Sequence, residues 1–158
     1  GAKYLGTGLD FGFTNDPTTA IDLYKYNDTY ILDQILYKTG MHNNEIAGQL
    51  KGKIVTADSA EPKSISEIAR CGVTITGAKK GADSVMYGVQ LLQSHNILMT
   101  SRSTELIKEQ RNYCFDKDRN GVSLNYPVDA YNHCMDASRY IATKHLGNQN
   151  IGQYYIAR

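Results

Sequence analysis

Three aspartates in separate parts of the chain have the chemistry to hold a metal ion. They are Asp10 in LGTGLDFGFTND, Asp58 in KIVTADSAEPKSI, and Asp136 in PVDAYNHCMDASRY, the last with His133 one helical turn before it. Carboxylates gathered from distant segments repel one another unless a cation lies between them. A hard divalent ion, Mg²⁺ or Mn²⁺, suits such an oxygen donor set with open positions. Two ions about 3.5 to 4 Å apart would activate a water and stabilise the leaving oxygen in phosphodiester cleavage, with no covalent nucleophile. His133 is open to three roles: ligand, base for water activation, or hydrogen-bonding histidine near Asp136.

Each acid also has a structural role available to it. Asp58, taken alone, reads as an N-cap or turn former, and Asp136 as a solvated helix position. Asp10 lies mid-strand, where aspartate is disfavoured unless something compensates. Asp129 follows Pro127-Val128 and is read as the N-cap of the last helix rather than a metal contact. Asp116-Lys-Asp118-Arg-Asn120-Gly121 imitates the start of a calcium loop, but Pro127 occupies the position of the closing glutamate, so a hairpin turn is expected. His42, His95 and His145 read as isolated surface residues.

The elements that must position these groups follow from periodicity. Lys3 to Gly12 alternates, with Leu5, Thr7, Leu9 and Phe11 on one packed face and Gly6, Gly8, Asp10 and Gly12 on an open one. Thr18 to Tyr26 and Tyr30 to Lys38 complete an antiparallel three-strand meander. Helical patterns cover Asn43 to Leu50, Ser59 to Arg70 (Pro62 in its first turn, Gly72 as its stop), Ser84 to Ser94 and Ser103 to Arg111. Short strands fall at Ile54 to Ala57, Val73 to Thr76 and Ile97 to Met99, and a hairpin at Tyr113 to Asp116 and Val122 to Tyr126. The last helix runs from about Asp129 to His145. At about 100° per residue it places Ala130, Cys134, Ala137 and Ile141 in a packing stripe, with His133, Asp136 and Tyr140 beside it. This order predicts an α/β fold with a central mixed sheet flanked by helices, whose ligands collect at the carboxyl ends of central strands. If the strands before Asp10 and Asp58 are neighbours, those two carboxylates converge.

The 158 residues, 41% of them hydrophobic, suffice for one compact core, so a single domain spanning 1–158 is expected. No apolar run approaches a membrane span, which predicts a soluble chain without membrane contact. Cys71, Cys114 and Cys134 show neither disulfide nor zinc spacing, consistent with a reducing, intracellular setting. With 17 Lys+Arg against 16 Asp+Glu, a polyanion would meet no global attraction and must be held by local patches. Lys79 and Lys80, then Lys117 and Arg119 at the hairpin tip, and Lys51 and Lys53 are the candidates for such patches.

Taken in order, GLDFGFTNDPT, YILDQILYKTGMHNNEIA, TADSAEPKSI, ITGAKKGADSVMYGVQLL and NYPVDAYNHCMDASRY resemble the C-terminal nuclease domain of tailed-phage large terminases, a ribonuclease H-like fold. The resemblance implies that Asp10, Asp58 and Asp136 are metal-binding catalytic acids and His133 a further active-site residue. It also implies an endonuclease with Mg²⁺ or Mn²⁺, two ions per site, that cuts concatemeric viral DNA during genome packaging. The implied partners are double-stranded DNA, the terminase ATPase domain, the small terminase subunit and the portal, in the cytoplasm of an infected bacterium. Family members carry an N-terminal ATPase motor; Gly77-Ala-Lys-Lys-Gly81 has the wrong spacing for a P-loop, so that motor is absent from these residues. Gln34 stands where relatives often have an acid. The alternatives are a non-catalytic DNA-packaging docking module, a junction-resolving nuclease of the same fold, and an actin-like or sugar-kinase phosphate loop built on LGTGLDFGFTND. The last would need a second lobe that this length does not accommodate.

Overall fold

The computed structural model describes residues 1–112, 115–117, 119–127 and 132–147. Its centre is a six-stranded mixed sheet in the order β5-β4-β1-β2-β3-β6. The strands are β1 (Lys3–Asp10), β2 (Thr18–Tyr26), β3 (Thr29–Lys38), β4 (Ile54–Ala57), β5 (Thr74–Gly77) and β6 (Asn96–Met99). β1, β2 and β3 form the expected antiparallel meander, while β4 joins β1, β5 joins β4 and β6 joins β3 in parallel. Helices α1 (Asn43–Gln49), α2 (Pro62–Arg70), α3 (Ser84–Gln93), α4 (Thr104–Asn112) and α5 (His133–Leu146) complete the layers. A separate hairpin pairs β7 (Phe115–Lys117) with β8 (Ser123–Pro127) around a turn in which Gly121 takes φ +79°. Among the described residues, no helix is long and apolar enough to cross a membrane.

Two cores lie on opposite faces of the sheet. Leu9, Ala20, Val55, Ala57 and Ile75 point to one face, where Ile46, Ala47, Leu50 and Ile68 of the α1–α2 layer cover them. Ile21, Leu23, Tyr30 and Leu32 point to the other, beneath Leu106 of α4 and Cys134, Ala137 and Ile141 of α5. Burying each large aliphatic side chain contributes roughly 1.5–3 kcal/mol, so both layers hold the sheet firmly. Cys134, Ala137 and Ile141 are the expected packing stripe of the last helix, which begins at His133 with Asn132 as its N-cap, so it is not capped by Asp129; Ala130 and Asp129 lie outside the described residues. Gly72 does stop α2, with φ +92° and its N–H donating to the Ala69 carbonyl.

Several local expectations are overturned. The glycine face of β1 is not open, because α5 lies directly on it. A Cβ on Gly8 would stand 1.9 Å from the Ala137 carbonyl oxygen, and one on Gly6 would meet Ile141 and His145. Glycine is therefore required there for close approach of helix and strand backbones. Leu5 leaves the predicted face as well, since the β1–β2 register slips between Tyr4 and Gly6 and turns Leu5 toward the α5 core. α2 begins at Pro62 rather than Ser59, because Asp58 and Ala60 form a turn first.

The three remaining histidines are not isolated, although His42 is exposed as expected. His42 packs edge-on against Phe13, His95 against Tyr30, and His145 sits over Gly6 with its pKa lowered by burial and by Lys144. Lys53 is withdrawn from any DNA surface by its ion pair with Asp22 at 2.6 Å, and it lies over the Tyr4 ring.

Candidate metal centre

The parallel pairing of β1 with β4 sets the first two acids side by side. Gly8 pairs with Thr56 and Leu9 with Ala57, and the Asp58 N–H then donates to the Leu9 carbonyl at 3.2 Å. Asp10 ends β1 on the face turned toward α5. Asp58 opens the following loop, where its Oδ1 accepts the Ala60 N–H at 2.9 Å. Its turn-forming role and its place beside Asp10 thus belong to one conformation. Asp136 enters from the first turn of α5, over the same strand ends.

Electrostatics place the three carboxylates in one field. The Asp10 carboxyl is pushed up to about 8 by burial first, then by the charges of Asp136 and Asp58, with Arg139 opposing. Asp136 is also raised, chiefly by burial, against the pull of Arg139. Tyr140 is raised by burial and by the same three acids. His133 lies between two carboxylates, its Nδ1 3.7 Å from Asp10 and its Nε2 3.5 Å from Asp16.

The acids converge without closing into a ligand cage. Among the described residues, no three His, Cys, Asp or Glu side chains stand close enough together to hold an ion. Cationic side chains occupy two of the acids instead: Lys80 Nζ is 2.5 Å from Asp58, and Arg139 donates to Asp136 at 2.7 Å. These ammonium and guanidinium groups mark the positions where positive charge is favoured. Oxygen donors of this kind, with a desolvated Asp10 among them, fit a hard divalent cation.

Residues not singled out from sequence hold the site in place. Glu109 of α4 is buried, and its Oε1 accepts the N–H groups of Cys134 (2.8 Å) and Met135 (3.1 Å). It satisfies the first turn of α5 in place of a side-chain cap from Asn132. Thr19 donates to the His133 carbonyl at 3.0 Å, so the backbone around His133 is tied to both β2 and α4. Arg139 is nearly enclosed, and a Cβ on Gly88 of α3 would stand only 3.0 Å from its side chain. Its spacing of three from Asp136 was a readable signal. Glu109 offered none, because nothing local distinguishes it from the exposed acids of an amphipathic helix.

The other candidates scatter. Gln34 is structural: its Oε1 accepts the Leu106 N–H and its Nε2 donates to Glu105, fastening β3 to the start of α4. Lys79 and Lys51 are exposed, as is Arg119 at the hairpin turn. Lys117 is on β7, with its side chain outside the described residues, as are Tyr113, Cys114 and Asp129. Cys134 is a buried thiol raised by burial and by Glu109.

Comparison with known proteins accounts for this arrangement. Residues 10–144 match the family described as the terminase RNase H-like domain. The large terminase subunit of Bacillus phage SPP1 is 30% identical over 144 residues, covering 84% of this chain and 34% of that protein. The chain spans about a third of the length of the curated relatives it matches. The crystal structure of the large-terminase nuclease domain from SPP1 with bound Mn superposes with a TM-score of 0.79 at 28% identity, covering 88% of this chain and 84% of that one. The large-terminase nuclease from thermophilic phage G20c with bound magnesium shares the fold, with a TM-score of 0.65 at 15% identity, over 90% and 82% of the two chains. A six-stranded mixed sheet with acids at the ends of β1 and β4 and on α5, matched over 135 residues by one family (10–144), leaves one assignment: the chain belongs to the terminase RNase H-like family of large-terminase nuclease domains.

Proposed function

We propose that residues 1–158 form a single divalent-metal-dependent endodeoxyribonuclease domain that cuts concatemeric viral DNA during genome packaging. The observation that carries this reading is the convergence of Asp10, Asp58 and Asp136, with His133 beside them, where β1, β4 and α5 meet. Support for Mg²⁺ or Mn²⁺ comes from the oxygen donor set and from relatives of this fold described with bound Mn and bound magnesium. Two ions bound there would supply an activated water and charge stabilisation at the leaving oxygen.

The chain's own groups do the rest. Asp10, Asp58 and Asp136 would hold the cations, and repulsion among the three would favour cation uptake over the metal-free state. Lys80 and Arg139, paired with Asp58 and Asp136 in their absence, would then be available to the negative phosphate of the substrate. His133 stands within reach of Asp10 and holds or moves a proton at that edge of the site. Lys79, Lys117 and Arg119 add phosphate contacts that carry no sequence information. The proposed partners are double-stranded DNA, the ATPase motor of the same subunit, the small terminase subunit and the portal, all in the cytoplasm of the infected bacterium.

The test is cleavage of supercoiled plasmid with Mn²⁺, Mg²⁺ or EDTA by the wild type, Asp58→Asn and Asp136→Asn at matched folding by circular dichroism. The asparagine in Asp58→Asn would keep an acceptor for the Ala60 N–H, so folding is expected to survive. Metal-dependent cutting abolished in both variants supports the reading. Cutting that persists in the variants, or none with either metal, rejects it in favour of a docking module.

A further inference from the structure

We propose that the cavity between β4–β5, α3 and the last turns of α5 binds one unpaired strand of DNA next to the cut, phosphates on its lysines and a base on Tyr87. This rests on the nuclease reading and names the part of the substrate that this flank of the site takes.

The half-open cavity holds about 690 Å³. That lies in the range of roughly 300–1,000 Å³ of small-molecule sites, enough for a nucleotide. It exists because α5 covers β1 and β4 but stops short of the sheet edge. On β5, Ile75 is buried in the opposite core while Thr74 and Thr76 remain exposed. Lys79, Lys80 and Lys144 line it together with Thr143, Tyr87 and Tyr140. A smaller cavity of about 200 Å³ shares Lys79, Lys80, Tyr140 and Thr143 with it and reaches Arg139. The passage therefore leads from the open sheet edge to the two cations seated on Asp58 and Asp136.

The charge of the lining points to a polar, anionic occupant. With Lys80 paired to Asp58, Lys79 and Lys144 give the wall a positive charge that the chain as a whole, at +1, does not have. The Tyr87 ring is 39% exposed at the rim, where a Cβ on Gly147 would come within 2.9 Å of its hydroxyl. A half-open aromatic beside lysines is the arrangement that stacks bases while phosphates are held, with little regard to sequence.

The experiment measures binding in EDTA of fluorescein-labelled single-stranded and duplex oligonucleotides. The proteins are the wild type, the double variant Lys79→Gln/Lys144→Gln, and Tyr87→Ala, each checked for folding by circular dichroism and thermal melting. Loss of two phosphate contacts should lower the slope of log K against log salt by about 1.4 on single strands. Tyr87→Ala should weaken single-strand binding about tenfold, and duplex binding should change less in every variant. A 5-bromouridine strand irradiated on the wild type should crosslink at Tyr87, a readout independent of variant folding. Single-strand binding unchanged in both variants while the wild type still cuts plasmid with metal overturns this inference alone, as does equal weakening on duplex. A wild type that neither binds nor cuts DNA overturns it together with the nuclease reading.

Discussion

Asp10 and Asp22 are both buried, on adjacent strands of one sheet, and they have opposite surroundings. Asp22 faces the α1–α2 side, where its carboxylate accepts the Thr7 hydroxyl at 2.6 Å and the Tyr24 hydroxyl at 3.3 Å and pairs with Lys53 at 2.6 Å. Asp10 faces α5, with His133 3.7 Å away and two further acids raising its pKa. Burial alone does not separate a structural carboxylate from one at the proposed metal site. What surrounds it does: Asp22 stitches β1, β2 and the start of β4 together, whereas Asp10 is held in a state that a bound cation would relieve.

The largest effect should come from breaking the frame that both acids share. Gly8→Ala drives a methyl group into the Ala137 carbonyl, and we expect a loss of about 3 kcal/mol or more in urea unfolding, or no folded protein. A wild-type melting curve would disprove the backbone contact. Next, Asp22→Ala leaves the partly buried Lys53 without its partner and should cost about 3 kcal/mol. Plasmid cleavage per folded molecule should remain; its loss would mean that Asp22 is more than structural.

Asp10→Asn should act in the opposite direction on stability. The folded carboxyl keeps its proton up to about 8, while the unfolded one releases it near the ordinary aspartate value of 3.8. Stability contributed by the protonated form is therefore full at acid pH and is lost as pH rises toward 8. Asparagine does not ionise, so in EDTA the variant should be more stable than wild type at pH 8, by on the order of 2 kcal/mol, and nearly equal at pH 4. Urea unfolding at both values checks this, and equal stability at pH 8 would contradict it. Cleavage with Mn²⁺ should disappear.

The smallest effect concerns His145, kept neutral by its seat over Gly6. Its folded pKa is depressed, so its contribution is present above about 6.5 and is lost below it. His145→Gln should flatten the decline of melting temperature between pH 7 and 5. An unchanged slope would assign that decline elsewhere.

These contrasts also explain what was legible beforehand. The meander and the packing stripe of α5 follow from periodicity, which is local. The convergence of Asp10 with Asp58 follows once β1 and β4 are neighbours, as they are in the sheet. The covered glycine face does not, since Gly6 and Gly8 read equally as an open ligand surface or as the seat of a helix. Lys53 looked like a surface lysine because its partner Asp22 lies 31 residues away in sequence. Glu109 was invisible for the same reason: its role depends on an α5 N-terminus supplied from the other end of the fold. Long-range pairing of charges is what hydrophobic patterning does not encode.

Under the proposed metal-binding reading, the contact of Gly8 with Ala137 bears on ion choice. Because main chain rests on main chain there, no deformable side chain lies between the element bearing Asp10 and the element bearing Asp136. Their spacing is set like the gap of a fixed jaw. Asp58, at the head of a loop and tethered through one carboxylate oxygen, is the movable jaw. A larger ion in place of a smaller one must be accommodated by that loop, so selectivity between metals is expected to be tuned between residues 58 and 61 and not along the helix.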